Sequence, residues 1–119
     1  NDRQDNKAIK RVQLIDTPIQ ITQENQEIDL KDEISNYDYL EVVLESNFAG
    51  ATKPDCFQSY FINTNIFNVN YGRGYLCDIY DPHYIALNKK DNNTIYIPNN
   101  GISIGMISVF INQIIGIKL

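Results

Sequence analysis

The chain has no tryptophan, and its 119 residues include only two cysteines, four prolines and six glycines. Two cysteines are too few for a disulfide framework. Cys56 and Cys77 also lack the paired spacing of a structural zinc site. We therefore expect free or buried thiols and no disulfide bond.

Positive charge is also scarce. Ten Lys and Arg residues stand against 15 Asp and Glu residues, so the net charge is −5, and only Lys7, Lys10 and Arg11 form a group. A nucleic-acid surface needs clustered cations, so no nucleic-acid partner is expected. No apolar run reaches the roughly 20 residues that cross a bilayer, and residues 1–6 do not resemble a signal peptide. The pattern predicts no membrane insertion, and either a soluble chain or a piece of a larger protein.

Motifs that carry catalysis are missing as well. There is no Gly-x-Ser-x-Gly elbow, no phosphate-binding loop and no His-Glu-x-x-His helix. His83 stands near Asp78 and Asp81, but the sequence shows neither a calcium loop nor the spaced carboxylate pair of a glycosidase. We expect no enzyme, no metal and no cofactor. An envelope polysaccharide-degrading enzyme stays as an alternative.

Period-two alternation is what the sequence has in abundance. At residues 39–45, Leu40, Val42 and Leu44 share one face while Glu41 and Glu45 point to water. Residues 65–71 repeat the pattern, with Asn68 and Asn70 opposite three apolar side chains. Further strands are predicted at residues 18–22, 27–30, 57–62, 75–80, 84–88, 94–97 and 102–119, with a helical turn at 34–38.

About nine short strands between Gly, Asn and Asp turns predict an all-β fold, either an antiparallel β-sandwich or a jelly-roll-like barrel. With 43% hydrophobic residues the chain is long enough for one domain with its own core. Residues 1–14 lack alternation and are predicted to be a linker or stem remnant. Residues 15–119 are predicted to form a single β head domain.

The closing strand is apolar on both faces. Between residues 106 and 111, Met106 and Phe110 lie opposite the side that carries Ile107, Val109 and Ile111. This favours a central strand whose second face meets another sheet or a loop. The alternative is a subunit interface, because exposed apolar side chains at the end of the chain would be buried by a symmetric oligomer. The candidate interface residues are Phe110, Ile115, Ile117 and Leu119, of which the last three are expected to be exposed.

Two segments near the ends of the predicted head domain have distinctive patterns. Residues 28–44 contain a strand, a Ser-Asn-Tyr-Asp turn and an apolar strand, and residues 111–118 follow the pattern Ile-x-x-Ile-x-Gly-Ile-Lys. Both are similar to segments of tail proteins from phages and prophages of low-GC Gram-positive bacteria. The resemblance extends over residues 20–119, except for the middle segment, residues 49–98. It implies a trimeric, β-rich head of a receptor-binding or tail-fibre protein in the virion, which binds cell-wall saccharide and contacts other tail or baseplate proteins. A structural baseplate or fibre-connector domain fits it too.

A saccharide site needs aromatic faces for sugar rings and polar side chains for hydroxyls, and the eight tyrosines and many asparagines supply both. The densest group lies between residues 71 and 84. In the functional interpretation tyrosines stack on sugars, while Arg, Asp and His bind hydroxyls or a phosphate. In the structural interpretation the same tyrosines only pack across strands. The candidate residues are Tyr71, Arg73, Tyr75, Asp78, Tyr80, Asp81, His83 and Tyr84.

Overall fold

The computed structural model describes residues 8–47, 56–67 and 74–119. Within these residues the chain forms ten strands in two antiparallel sheets that pack as a sandwich, so the predicted fold class is confirmed. Sheet A contains β1 (Lys10–Gln13), β2 (Ile19–Ile21), β4 (Tyr39–Asn47), β5 (Cys56–Asn63) and β10 (Ser108–Lys118). Sheet B contains β3 (Glu27–Asp29), β6 (Tyr75–Tyr80), β7 (His83–Asp91), β8 (Thr94–Tyr96) and β9 (Ile102–Ser103). A 3₁₀ helix (Ile34–Asn36) and a one-turn helix α1 (Thr64–Phe67) complete the described elements.

Both sheets are built on one long central strand. In sheet A the order is β1-β10-β4-β5, and β2 also pairs with β10. In sheet B the order is β3-β8-β7-β6, and β9 also pairs with β7. The apolar closing strand therefore holds the central position that its composition predicts, because neighbours on both edges satisfy its backbone groups.

The core lies between the inner faces of the two sheets. Leu40, Val42 and Leu44 of β4 are almost fully buried, and Ile85 and Ile95 meet them from sheet B. Each such aliphatic side chain contributes roughly 1.5–3 kcal/mol when it leaves water. The alternation of β4 is thus the direct cause of its orientation in the sandwich.

A β-bulge in β10 changes which residues face the core. The register against β4 shifts between Ile111 and Gln113. Ile111 is paired with core-facing Leu44, and Gly116 is paired with core-facing Leu40. The extra residue at the bulge inverts the alternation beyond it. As a result Ile115 and Ile117 lie on the outer face of sheet A, the same face as Phe110.

The predicted linker ends earlier than residue 14. Lys10–Gln13 form β1, which pairs with β10 in the register Arg11 to Ile117 and Gln13 to Ile115. All four β1 side chains are exposed. Backbone hydrogen bonds along β10 are therefore its main attachment, which explains why its sequence shows no alternation.

Two further predictions differ from the structure. The first residues of the strand predicted at 65–71 belong instead to helix α1. Asn63 Oδ1 caps this helix by accepting from the backbone N–H of Asn65 at 2.8 Å, and Thr64 Oγ1 donates to Tyr37 O at 2.7 Å. Residues 68–71 lie outside the described part. Met106 does not belong to the closing strand but to an exposed turn, where Gly105 adopts a positive φ of 55°. Across the described ranges, no helix is long and apolar enough to span a membrane.

Candidate functional site

The hairpin of β6 and β7 collects most of the predicted saccharide residues. Asp78 and Tyr80 end β6, Asp81 lies in the turn, and His83 and Tyr84 begin β7. Asp78, Tyr80 and Asp81 are exposed, and the other two are partly exposed. We call these five residues the hairpin surface. Two other predicted members, Tyr71 and Arg73, lie outside the described residues.

The hairpin surface contains a row of polar groups across three strands. Asp78 pairs with Tyr84, and Tyr84 pairs with Ser103 of β9. The Tyr84 hydroxyl donates to the carbonyl oxygen of Asn100 at 3.0 Å, which fixes its ring. A carboxylate, a phenol ring and a hydroxyl thus lie side by side, an arrangement that suits a sugar with several hydroxyls.

Tyr80 and His83 close one end of this surface. Their rings meet edge to face with centroids 5.1 Å apart. The imidazole also lies under Gly105, where a Cβ would come within 2.9 Å of His83 Cε1. His83 Nδ1 is buried and makes no hydrogen bond to the described residues. The contacts shown for His83 are therefore packing contacts rather than those of an acid–base pair.

Tyr75 does not belong to the hairpin surface. It is on the inner side of β6 with Cys77 and Ile79, where it packs half-buried against the core. Burial raises the pKa of the Cys77 thiol to about 12. The pKa of Tyr60 is also raised by burial, and its hydroxyl donates to the Asp78 carbonyl oxygen. For Tyr75 the packing alternative therefore fits the structure.

The outer face of sheet A forms a second surface, which we call the apolar face. It contains the following side chains: Val43, Phe57, Phe61, Phe110, Ile115 and Ile117. Phe57 and Phe61 on strand β5 are 59% and 53% exposed. A phenylalanine side chain carries roughly 150–250 Å² of surface, so these two alone leave on the order of 200 Å² of apolar area in water.

Ile115 and Ile117 are on this face but are not exposed as predicted. Their exposed fractions are only 9% and 5%. An ion pair between Arg11 on β1 and Glu41 on β4 crosses β10 at their level. The long side chains of this pair can cover the two isoleucines. The largest exposed apolar side chains on this face are Phe57 and Phe61, which the sequence analysis missed although the strand was predicted.

A groove on sheet B was also missed by the sequence analysis. It has a volume of about 320 Å³ and is lined by Asn25, Glu27, Lys89, Lys90 and Tyr96. We call it the Tyr96 groove. These residues come from three parts of the chain, and single polar residues far apart in sequence give no local motif that could reveal such a site.

A larger groove of about 410 Å³ lies at the bulge of β10. Its walls include Gln13, Asp16, Asn112 and Gln113. Asn112 Nδ2 donates to Glu45 Oε1 at 2.8 Å, and Lys31 Nζ donates to Asp16 Oδ1 at 2.8 Å. This groove has amides and a carboxylate but no aromatic ring, which makes it less suited to a sugar than the Tyr96 groove.

The side chains that could bind a metal ion are dispersed over the described part of the chain. Over residues 8–47, 56–67 and 74–119, no three His, Cys, Asp or Glu side chains come together in a group that could hold an ion. Cys56 and Cys77 are both free. The described chemistry is therefore that of hydroxyls, amides, carboxylates and aromatic rings.

No protein-family model matches the chain, and no curated protein matches it.

Proposed function

We propose that this chain is a non-enzymatic attachment domain of a phage tail, which assembles as a homotrimer and binds saccharide on the host cell surface. The observation that carries the proposal is a difference between the two outer faces of the sandwich. Sheet A presents the apolar face, with Phe57 and Phe61 more than half exposed. Sheet B presents the hairpin surface and the Tyr96 groove, which combine tyrosine rings with hydrogen-bonding groups. One face suits contact with copies of the chain and the other suits a sugar.

The apolar face supports self-association because an exposed apolar patch is costly in a monomer. Val43, Phe57, Phe61 and Phe110 would form its centre. Stable interfaces bury roughly 800 Å² from each partner, so the polar side chains around this centre would have to take part. The trimeric state itself is supported by the resemblance of residues 28–44 and 111–118 to phage tail proteins.

The saccharide ligand is supported by the hairpin surface. Tyr80 is exposed at its edge, and Asp78 and Tyr84 stand next to each other across the two strands. Tyrosine offers a rigid apolar body with a polar tip, which costs little conformational entropy on binding. An exposed surface of this kind suits attachment to a polymer.

The assembly half of the proposal is tested by light scattering on the purified chain at micromolar concentration. The wild type is expected to have the mass of a trimer, and the double variant Phe57→Ser/Phe61→Ser that of a monomer. Leu76→Ser is the matched control, because Leu76 is 53% exposed but on sheet B. A monomeric wild type would contradict the trimer.

The binding half is tested with labelled protein on cells and cell-wall extracts of low-GC Gram-positive bacteria. We expect Asp78→Ala and Tyr80→Ala to weaken binding about tenfold, the effect of losing ~1.4 kcal/mol. Trimerisation without any cell binding would instead favour a structural baseplate or connector domain, for which the apolar face is sufficient. Release of reducing sugar that is lost in Asp78→Asn or Asp81→Asn would favour a polysaccharide-degrading enzyme.

A further inference from the structure

Tyr96 lines its groove from the middle of a three-strand row. It pairs with Glu27 of β3 on one side and with Asn88 of β7 on the other. The side chain is half-buried, so part of the ring remains open to a ligand. A tyrosine ring gives a flat apolar surface against which the C–H face of a sugar can stack.

An ion pair forms one wall of the groove. Lys90 Nζ donates to Glu27 Oε2, so the pair crosses β8 beside Tyr96. The pKa of Lys90 is raised chiefly by this hydrogen bond, so the ammonium stays charged at neutral pH. A carboxylate has about four lone-pair sites and an ammonium three N–H donors, so both groups can bind a ligand while they bind each other.

A carboxylate beside an ammonium matches two neighbouring hydroxyls of a sugar ring. One hydroxyl can donate to Glu27 while the next accepts from Lys90. A ligand with a single hydroxyl can satisfy only one of them. Bonds to charged groups are stronger than neutral ones, so a ring with adjacent hydroxyls gains from both.

The opposite wall is held in place by the neighbouring turns. Asn25 adopts a positive φ of 66°, and its Nδ2 donates to Asn99 Oδ1 at 3.2 Å. The backbone N–H of Asn25 donates to Ile97 O at 2.7 Å, and that of Ile97 donates to Gln26 O at 3.0 Å. Because the loop is fixed before a ligand arrives, binding costs little ordering entropy.

The charges around the groove indicate a neutral ligand. Lys89 and Lys90 both line the groove, Lys90 is paired with Glu27, and Asp29 and Asp91 are close enough to act on the pKa of Lys90. Two cations against three carboxylates give no positive excess for a phosphate. The volume of about 320 Å³ is at the lower end of small-molecule sites, which suits one sugar ring.

We propose that the Tyr96 groove is a second saccharide subsite, which binds one neutral sugar ring by stacking on Tyr96 and by two adjacent hydroxyls at Glu27 and Lys90. The proposal rests on the proposed function for its ligand class. The turn at residues 98–101 links this subsite to the hairpin surface, because Asn99 contacts Asn25 and Asn100 accepts from Tyr84. A saccharide chain therefore has two places to bind on sheet B.

The test uses amide NMR spectra of the full chain titrated with methyl α-glucopyranoside. We expect shifts at residues 25–27, 89, 90 and 96, with affinity in the millimolar range of weak ligands. Tyr96→Ala should abolish these shifts, and Lys90→Met should weaken binding several-fold. Lys90→Met should fold normally, because exposed ion pairs add little stability. Cyclohexanol, a ring with one hydroxyl, should give much smaller shifts than the sugar.

Tyr80→Ala is the matched control, since it removes an aromatic ring from the hairpin surface and should leave the groove shifts unchanged. Sugar shifts at the hairpin surface alone would overturn the second subsite and leave the proposed function standing. Shifts at neither surface, with the glucoside and with cell-wall extract, would overturn both. Shifts at the groove that persist unchanged in Tyr96→Ala would also overturn the subsite.

Discussion

The ring of Tyr37 lies directly against the backbone of Gly116. A Cβ on residue 116 would come within 2.7 Å of Tyr37 Cγ and Cδ1. Residues 28–44 and 111–118 therefore meet in the fold, since Tyr37 lies in the first segment and Gly116 in the second. Asp38 joins them further: its N–H donates to Ile117 O at 2.8 Å, and its Oδ2 accepts from the N–H of Leu119 at 2.8 Å.

Gly116→Ala is expected to destabilise the fold by about 1–3 kcal/mol, the usual cost of forcing an extra carbon into a packed core. Gln113→Ala, on the outer face of the same strand, should cost about 0.5 kcal/mol or less. Urea denaturation measures both. If the ring of Tyr37 is the cause, Gly116→Ala will cost less in a Tyr37→Leu background, so an equal cost in both backgrounds would contradict this explanation.

Asp32 should make the stability of the fold sensitive to acid. Its Oδ2 accepts from the Tyr37 hydroxyl at 2.7 Å, and its Oδ1 accepts from the backbone N–H of Glu33 and from Asn36 Nδ2. These hydrogen bonds lower the pKa of Asp32 below its ordinary value of 3.8, and the bond from Tyr37 has the largest effect. A lowered pKa means that the carboxylate stabilises the fold above pH 3.8 and that this contribution is lost as the pH falls through the folded value.

The test measures the free energy of unfolding of the wild type and of Asp32→Asn by urea denaturation, from neutral to acid pH. The variant should be less stable at neutral pH, and the difference should shrink below pH 3.8. Tyr37→Phe is the control, because it keeps the ring on Gly116 and removes only the hydroxyl. It should flatten part of the acid dependence. A stability difference that stays constant through the acid range would rule out the role of Asp32.

The fold class was predictable because alternation depends on one local property, the burial of every second side chain. Strand β4 shows this, with Leu40, Val42 and Leu44 inward. Strand β1 was not predictable, because its side chains are all exposed and its partners lie at the other end of the chain. The bulge at Asn112 has no sequence marker such as a glycine, so the face of Ile115 and Ile117 could not be assigned.

The candidate site was only partly predictable for a similar reason. Asp78, Tyr80 and Tyr84 are close in sequence, and a hairpin keeps such residues close in space. The Tyr96 groove joins residues from β3, β7 and β8, so only the sheet order reveals it. Alternation also places Tyr75 on the other side of the strand from Asp78 and Tyr80.

The two cysteines are expected to react very differently. Cys77 is fully buried, and burial raises the pKa of its thiol to about 12, whereas Cys56 is partly exposed. Only the thiolate attacks disulfide reagents. At mildly alkaline pH a coloured disulfide reagent should therefore label Cys56 in the native protein, and Cys77 only at the rate of unfolding. The variant Cys56→Ser gives Cys77 alone, and fast labelling of that variant would contradict its burial.

Arg11→Ala should destabilise the fold more than the loss of an ordinary surface ion pair. Arg11 is 52% exposed but its partner Glu41 only 12%, so the change leaves a largely covered carboxylate without the guanidinium. We expect a cost of about 1 kcal/mol or more. Lys31→Ala is the matched control. Lys31 and Asp16 are 53% and 77% exposed, so their ion pair should contribute at most about 0.3 kcal/mol to the free energy of unfolding.

Part of the effect of Arg11→Ala should come from packing rather than charge. Arg11 lies beside Ile117 in the register of β1 and β10, and its aliphatic stem can cover that side chain. Arg11→Met keeps an unbranched apolar chain and should therefore recover part of the lost stability. The urea midpoints of Arg11→Ala, Arg11→Met and Lys31→Ala separate the contribution of packing from that of charge. If Arg11→Ala costs no more than Lys31→Ala, neither the ion pair with Glu41 nor the packing of the arginine stem on Ile117 stabilises this end of β10.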